Sequence, residues 1–115
     1  MIPLKYIALP LSPKNIVEFN DTLYVSTMNG KIIVLKDEIL NATFPTLCSS
    51  IDSFVINSYG EIAVLCSPTI YVYSANDGSY LISWVSPIEN LTSIGFDGFG
   101  NFIFTSYSEI FIFNY

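Results

Sequence analysis

Carboxylates are almost the only side chains in this sequence that could do acid–base chemistry. The 115 residues include ten Asp and Glu and four Lys, with no Arg and no His. Without histidine, neither a Ser–His nor a Cys–His nucleophile can form within the chain, and the commonest zinc ligand is missing. Paired carboxylates acting with water or a metal, as in glycoside or lactone hydrolysis, remain open. Glu18, Asp52 and Asp97 are the ones to inspect, because each falls near the end of a candidate inner strand. No spacing singles out a pair among them, so no catalytic, cofactor-binding or metal residue is assigned and no cofactor is expected. No Gly-rich phosphate loop, Walker motif or paired-Cys metal motif occurs. Cys48 and Cys66 read as buried small hydrophobes rather than as a disulfide or metal pair.

The charge balance narrows the partners. The formal net charge is -6. An acidic chain without Arg has little with which to neutralise phosphates, so nucleic-acid binding is not expected. The longest charge-free run, Ile62 to Asn76, is interrupted by Ser67, Pro68, Thr69 and Ser74. It is too short and too polar for a membrane helix, and no membrane partner is expected. The opening residues show no basic region followed by an apolar run, so a secretory signal is not supported. The sequons at Asn20, Asn41 and Asn90 therefore carry no expectation of glycosylation, and a cytoplasmic location is expected. The Ile-, Asn-, Tyr- and Phe-rich vocabulary suits an A+T-rich genome, such as a small viral one.

The elements that must position the carboxylates come from an internal repeat. Ser53 to Tyr73 lies over Ser93 to Phe113 at an offset of 40 without a gap. Phe54, Ile56, Gly60, Ile62 and Val64 fall on Ile94, Phe96, Gly100, Phe102 and Phe104. A third copy, Ile16 to Leu35, aligns if its first turn is two residues shorter, with Val17 and Phe19 on Phe54 and Ile56. Each copy reads strand, turn, strand, turn, strand, with Asn20-Asp21, Ser58-Tyr59-Gly60 and Gly98-Phe99-Gly100 as the first turns. Fourth strands follow at about Ile39 to Phe44 and Ser79 to Val85. Four short strands in about 40 residues mark a propeller blade. Near-continuous apolar runs such as Ile110-Phe111-Ile112-Phe113 suit sheets covered on both faces. A small sandwich or barrel is the competing all-β architecture.

The copy from Ile94 to Thr105 resembles an NHL-type propeller repeat: apolar strand, Asp97, a turn with Gly100-Asn101, apolar strand. The second copy carries Glu61 where Asn is usual, and the first lacks the turn glycine. The resemblance spans about 100 residues and implies a fold; activities within that family differ widely.

The strand inventory then predicts assembly. Blade one covers residues 15–47, blade two 52–86 and an incomplete blade three 91–115. Residues 2–9 read as a lone closing strand, because Pro10 falls on Pro87 and Pro3 to Leu9 on Tyr80 to Ser86. Three blades do not close a ring, and propellers have four to eight. Two copies would form one six-bladed β-propeller, each closing strand completing its partner's last blade. Leu4, Tyr6 and Ile7 on one side, and Ile110, Phe111, Ile112 and Phe113 on the other, are the expected closure residues. Asp21, Asp37, Glu38, Glu61, Asp77 and Asp97 fall in turns at one end of the blades and form an acidic face. That face could receive a basic protein surface. Turn chemistry and solubility also account for it. The function expected is a non-enzymatic interaction scaffold and homodimer; a small-ligand or carbohydrate-binding propeller, or a metal-assisted hydrolase, is the alternative.

Overall fold

A computed structural model describes residues 2–115 of the chain. Among these described residues, eleven strands form three antiparallel sheets, each a meander in chain order. The first sheet holds β1 (Pro13–Phe19), β2 (Thr22–Thr27), β3 (Lys31–Lys36) and β4 (Ile39–Pro45). The second holds β5 (Ser53–Ile56), β6 (Glu61–Cys66), β7 (Thr69–Ser74) and β8 (Tyr80–Val85). The third has three strands, β9 (Ser93–Phe96), β10 (Phe102–Thr105) and β11 (Ile110–Phe113). These are the expected strands in the expected order, with one exception. Residues 2–9 form no strand.

The sheets pack face to face through two apolar seams. Between sheets one and two lie Tyr24, Ile32, Val34, Ile51, Phe54, Ile62 and Val64. Between sheets two and three lie Ala63, Leu65, Ile70, Val72, Ile94, Phe102 and Phe104. The middle sheet is covered on both faces, so β6 runs as Ile62-Ala63-Val64-Leu65 with every residue buried. That coverage removes the polar–apolar alternation of a half-exposed sheet. The fourth strands β4 and β8 are mostly exposed. Each fully buried aliphatic in a seam contributes on the order of 1.5–3 kcal/mol.

The pairing corrects the alignment of the first copy by one residue. Glu18 faces Leu23 across β1 and β2, as Ile56 faces Ile62 across β5 and β6. Ile16 faces Val25 as Phe54 faces Val64. Thus Ile16 and Glu18, rather than Val17 and Phe19, hold the places of Phe54 and Ile56. Val17 and Phe19 pack into the seam with sheet two instead. A one-residue slip moves a strand's side chains to its other face, and β1 is apolar on both, so its sequence left the register open.

The turns bear out their chemistry. Asn20-Asp21 and Asp37-Glu38 each place two successive residues at positive φ, between 49° and 66°. That is the geometry of the tight two-residue hairpin whose twist matches the flanking strands. Asp and Asn tolerate it; Glu38 adopts it because the pairing of Lys36 with Ile39 leaves the chain two residues in which to reverse.

Cys48 and Cys66 are corrected as well. They are joined in a disulfide, with Cα atoms 5.8 Å apart. The bond ties the segment after β4 to the end of β6, and so fastens sheet one to sheet two.

Candidate functional site

The six acidic residues of the expected face lie where the meanders turn. Asp21 is in the β1–β2 turn, Asp37 and Glu38 in β3–β4, Asp77 in β7–β8 and Asp97 in β9–β10, while Glu61 opens β6. In an antiparallel meander these turns share one end of the sheet. The ends are knitted together: the Ala75 amide donates to the Gly60 carbonyl at 2.8 Å, and the Tyr24 hydroxyl donates to the Ala75 carbonyl at 3.5 Å.

Several of these carboxylates are committed to their own turns. Asp97 Oδ1 accepts from the Phe99 and Asn101 amides at 2.8 and 2.9 Å, and its Oδ2 from the Asn101 side chain at 3.1 Å. In the second blade Asn57 takes that place. Its Oδ1 accepts from the Tyr59 and Glu61 amides, and its side-chain amide donates to Glu61 Oε1 at 2.7 Å. Asp77 Oδ1 accepts from the Ser79 amide at 2.9 Å. Glu38 is paired with Lys5, which reaches over from the N-terminal segment.

The backbone donors have an electrostatic consequence. The Asn101 amide, above all, holds the Asp97 carboxyl below its usual range, and the Ser79 amide does the same for Asp77. A carboxyl whose folded pKa is depressed adds stability that is present above its unfolded pKa and lost as pH falls through the folded one. Thermal melts are therefore expected to be level down to about pH 4 and to decline as the solution becomes more acid. An Asp97→Asn chain should show a shallower acid decline than the parent. An identical decline would show that Asp97 is not among the groups responsible.

A shallow groove runs between the β5–β6 and β9–β10 turns, lined by Ile56, Tyr59, Glu61, Phe96, Asp97 and Phe99 among others. Tyr59 and Phe99 occupy matching repeat positions and are 86% and 93% exposed. Tyr115 closes the groove. Its ring stacks on Phe102 at 4.8 Å between centroids and meets Trp84 edge-on at 5.5 Å. Burial, followed by the facing Glu61 carboxylate, pushes its phenol up to about 12.

The three carboxylates singled out for chemistry are not brought together. Glu18 is exposed on β1. Asp52 accepts from the Ser67 amide at 2.9 Å at the far end of the second blade, and Asp97 caps its own turn. Among the described residues, no three Asp, Glu, Cys or His side chains gather as a metal site would need.

The closure residues divide into two groups on opposite sides of the molecule. Ile110 and Ile112 are 71% and 64% exposed, on the face of β11 turned away from the second sheet. Phe111 and Phe113 point the other way and pack into the second seam. Leu4 and Tyr6 are exposed, while Ile7 lies beside the outer face of the first sheet with Leu9, Ile16, Leu23 and Val25. Leu9 and Leu11 cover Val25, Ile33 and Leu35 there, a third apolar cluster that the sequence did not disclose.

No family model matches the sequence, and no curated protein matches it. The architecture does have solved counterparts. The chain is similar to the WD40 repeats of RRP9 at a TM-score of 0.75 and 15% identity, covering 93% of this chain and 36% of that one. The WD40 β-propeller domain of Doa1 is similar at 0.70 and 15%, over 85% and 34%. The β-propeller domain of Myceliophteria thermophila Cps50 (Swd1) is similar at 0.69 and 9%, over 91% and 40%. At these identities the likeness shows the fold: an all-β set of β-propeller blades. The chain spans about a third of the length of the solved propellers it matches, so it is a partial blade set.

Proposed function

We propose that the chain is a non-enzymatic propeller scaffold for protein–protein interaction, built from NHL-type repeats, whose ring is completed by a second copy to give six blades. The observation that carries the scaffold reading is the use made of the polar groups. Asp77, Asp97 and Asn57 spend their acceptors on their own turns, and apolar seams lock the sheets into a rigid platform. Rigid elements presenting variable turns suit binding. WD40 domains among the solved counterparts support the same reading.

The acidic end of the blades is the proposed docking surface, and the partner it fits is a basic protein surface. Two copies would double its charge. Titration with a lysine-rich peptide is expected to give binding that weakens steeply as salt rises above about 0.15 M, where the screening length is about 8 Å. A chain carrying Asp21→Asn, Asp37→Asn and Glu38→Gln should bind at least several-fold more weakly. Binding indifferent to both salt and these substitutions would reject the docking surface. For the assembly, light scattering should return twice the 12.8 kDa chain mass. A stable single-chain mass would reject the two-copy ring.

A further inference from the structure

We propose that residues 2–9 of one copy form the fourth strand of the third blade of a second copy, pairing antiparallel with β11 in a defined register. This deepens the two-copy reading above and rests on it. The register follows from the blade that is complete. In the second blade Thr69, Ile70, Tyr71, Val72 and Tyr73 pair with Val85, Trp84, Ser83, Ile82 and Tyr80. The repeat offset of 40 carries 69–73 onto 109–113, and the Pro10–Pro87 offset of 77 carries 80–85 onto 3–8. Ala8 then faces Glu109, Ile7 faces Ile110, Tyr6 faces Phe111, Lys5 faces Ile112 and Pro3 faces Phe113. Leu4 takes the irregular position that Leu81 has between Ile82 and Tyr80.

The structure has set the donor in place. Ahead of each blade one apolar residue tucks into the seam: Cys48 before the second, Ile88 before the third and Leu11 before the first. Ile7 lies on the outer face of the first sheet as Trp84 lies against the third and Phe44 against the second. Residues 2–9 thus occupy the seat of a preceding blade's outer strand, and Lys5 is fixed there by Glu38. Among the described residues, they make no backbone hydrogen bond to the sheets. Their strand-pairing groups are free.

The acceptor is on the other side of the molecule. Among the described residues nothing pairs with the outer edge of β11, and a 190 Å³ cleft lined by Trp84, Val85, Phe102 and Phe113 opens beside it. In the proposed register Tyr6, 85% exposed here, turns toward that cleft. Ile110 and Ile112 turn toward the first blade of the incoming copy, whose Ile16 is 62% exposed. Within one copy the second blade stands between donor and acceptor. The occupant we propose is a second copy, because residues 2–9 are the repeat counterpart of β8, the strand that pairs with this edge in the second blade, and a two-fold axis satisfies both copies at once. No opening of the fold is required, since each donor stays on its own first blade.

The test mixes Tyr6→Cys chains with Phe111→Cys chains under mild oxidation. A two-chain cross-linked species is expected only in the mixture, and far less of it from Ile7→Cys with Phe111→Cys, whose side chains leave opposite faces. Hydrogen exchange on the unmodified chain gives a reading free of folding defects. Alternate amides of 4–8, and those of 110–113 not already bonded to β10, should exchange slowly in the dimer and at least ten-fold faster on dilution. A two-chain mass by light scattering with no cross-link and fast exchange at both segments overturns strand exchange and leaves the two-copy ring standing. A single-chain mass overturns both.

Discussion

Gly30→Ala is expected to destabilise the fold by about 3 kcal/mol, while the same change at Gly100 costs about 1 kcal/mol. Both glycines sit in turns at nearly the same positive φ, 80° and 83°. Any residue with a Cβ meets the left-handed penalty of roughly 1–2 kcal/mol at either site. The surroundings separate them. A Cβ at Gly100 would meet nothing within 4 Å. At Gly30 it would run into the Cys48 carbonyl oxygen, which is backbone and cannot rotate away. The segment after β4 is held there by the Gly30 carbonyl, which accepts from the Thr46 amide at 3.1 Å and the Thr46 hydroxyl at 2.6 Å. Relieving the collision means lifting Cys48 out of the first seam, so overpacking adds roughly 1–3 kcal/mol to the backbone penalty. Denaturant unfolding of the two variants measures the difference directly. Equal losses would show that the approach of the Cys48 segment to Gly30 is not rigid.

The fold was legible wherever the repeat was strong. An ungapped offset of 40 placed β5, β6 and β7 over β9, β10 and β11, and Gly60 and Gly100 recur at matching turns with positive φ. Legibility failed where the signal was local and two-sided. The first strand carries apolar residues on both faces, so only pairing with β2 shows that Ile16 and Glu18 face outward. Residues 2–9 have strand composition, yet a strand exists only with a partner edge, and none within the described chain reaches them. On the candidate surface, Asp77 and Asp97 each accept from the amide two residues on, a local matter that turn chemistry in the sequence discloses. The approach of Tyr115 to Glu61 was invisible. It depends on the stacking of the third blade on the second, and no spacing along the chain encodes it. The Cys48–Cys66 bond was missed for the same reason: the segment after β4 folds back onto β6 across a seam.

That bond sets the second large expectation. Reducing Cys48–Cys66 should cost about 3 kcal/mol, the loop-closure value for a bridge spanning a separation of 18 residues. For a domain of this size the loss corresponds to a fall in Tm of about 10 °C or more. The bridge acts where the packing already depends on it, because Cys48 is 2% exposed and sits among Tyr24, Ile32, Ile51 and Tyr73 in the first seam. Its counterpart in the second seam, Ile88, has no such bridge: it packs there, with its amide bonded to the Ser86 hydroxyl. Reduction should therefore loosen the first blade from the second while leaving the second on the third. Hydrogen exchange should quicken in β1 to β4 before it does in β9 to β11. The control is Cys48→Ala with Cys66→Ala, which should match the reduced protein in Tm and ignore reductant. A chain whose Tm is unmoved by reductant, with two free thiols detected beforehand, would mean that the sulfurs are not joined in solution. The bridge gives the chain this stability only where thiols stay oxidised. In a reducing compartment its first seam rests on its apolar contacts and on the Tyr24–Ala75 hydrogen bond.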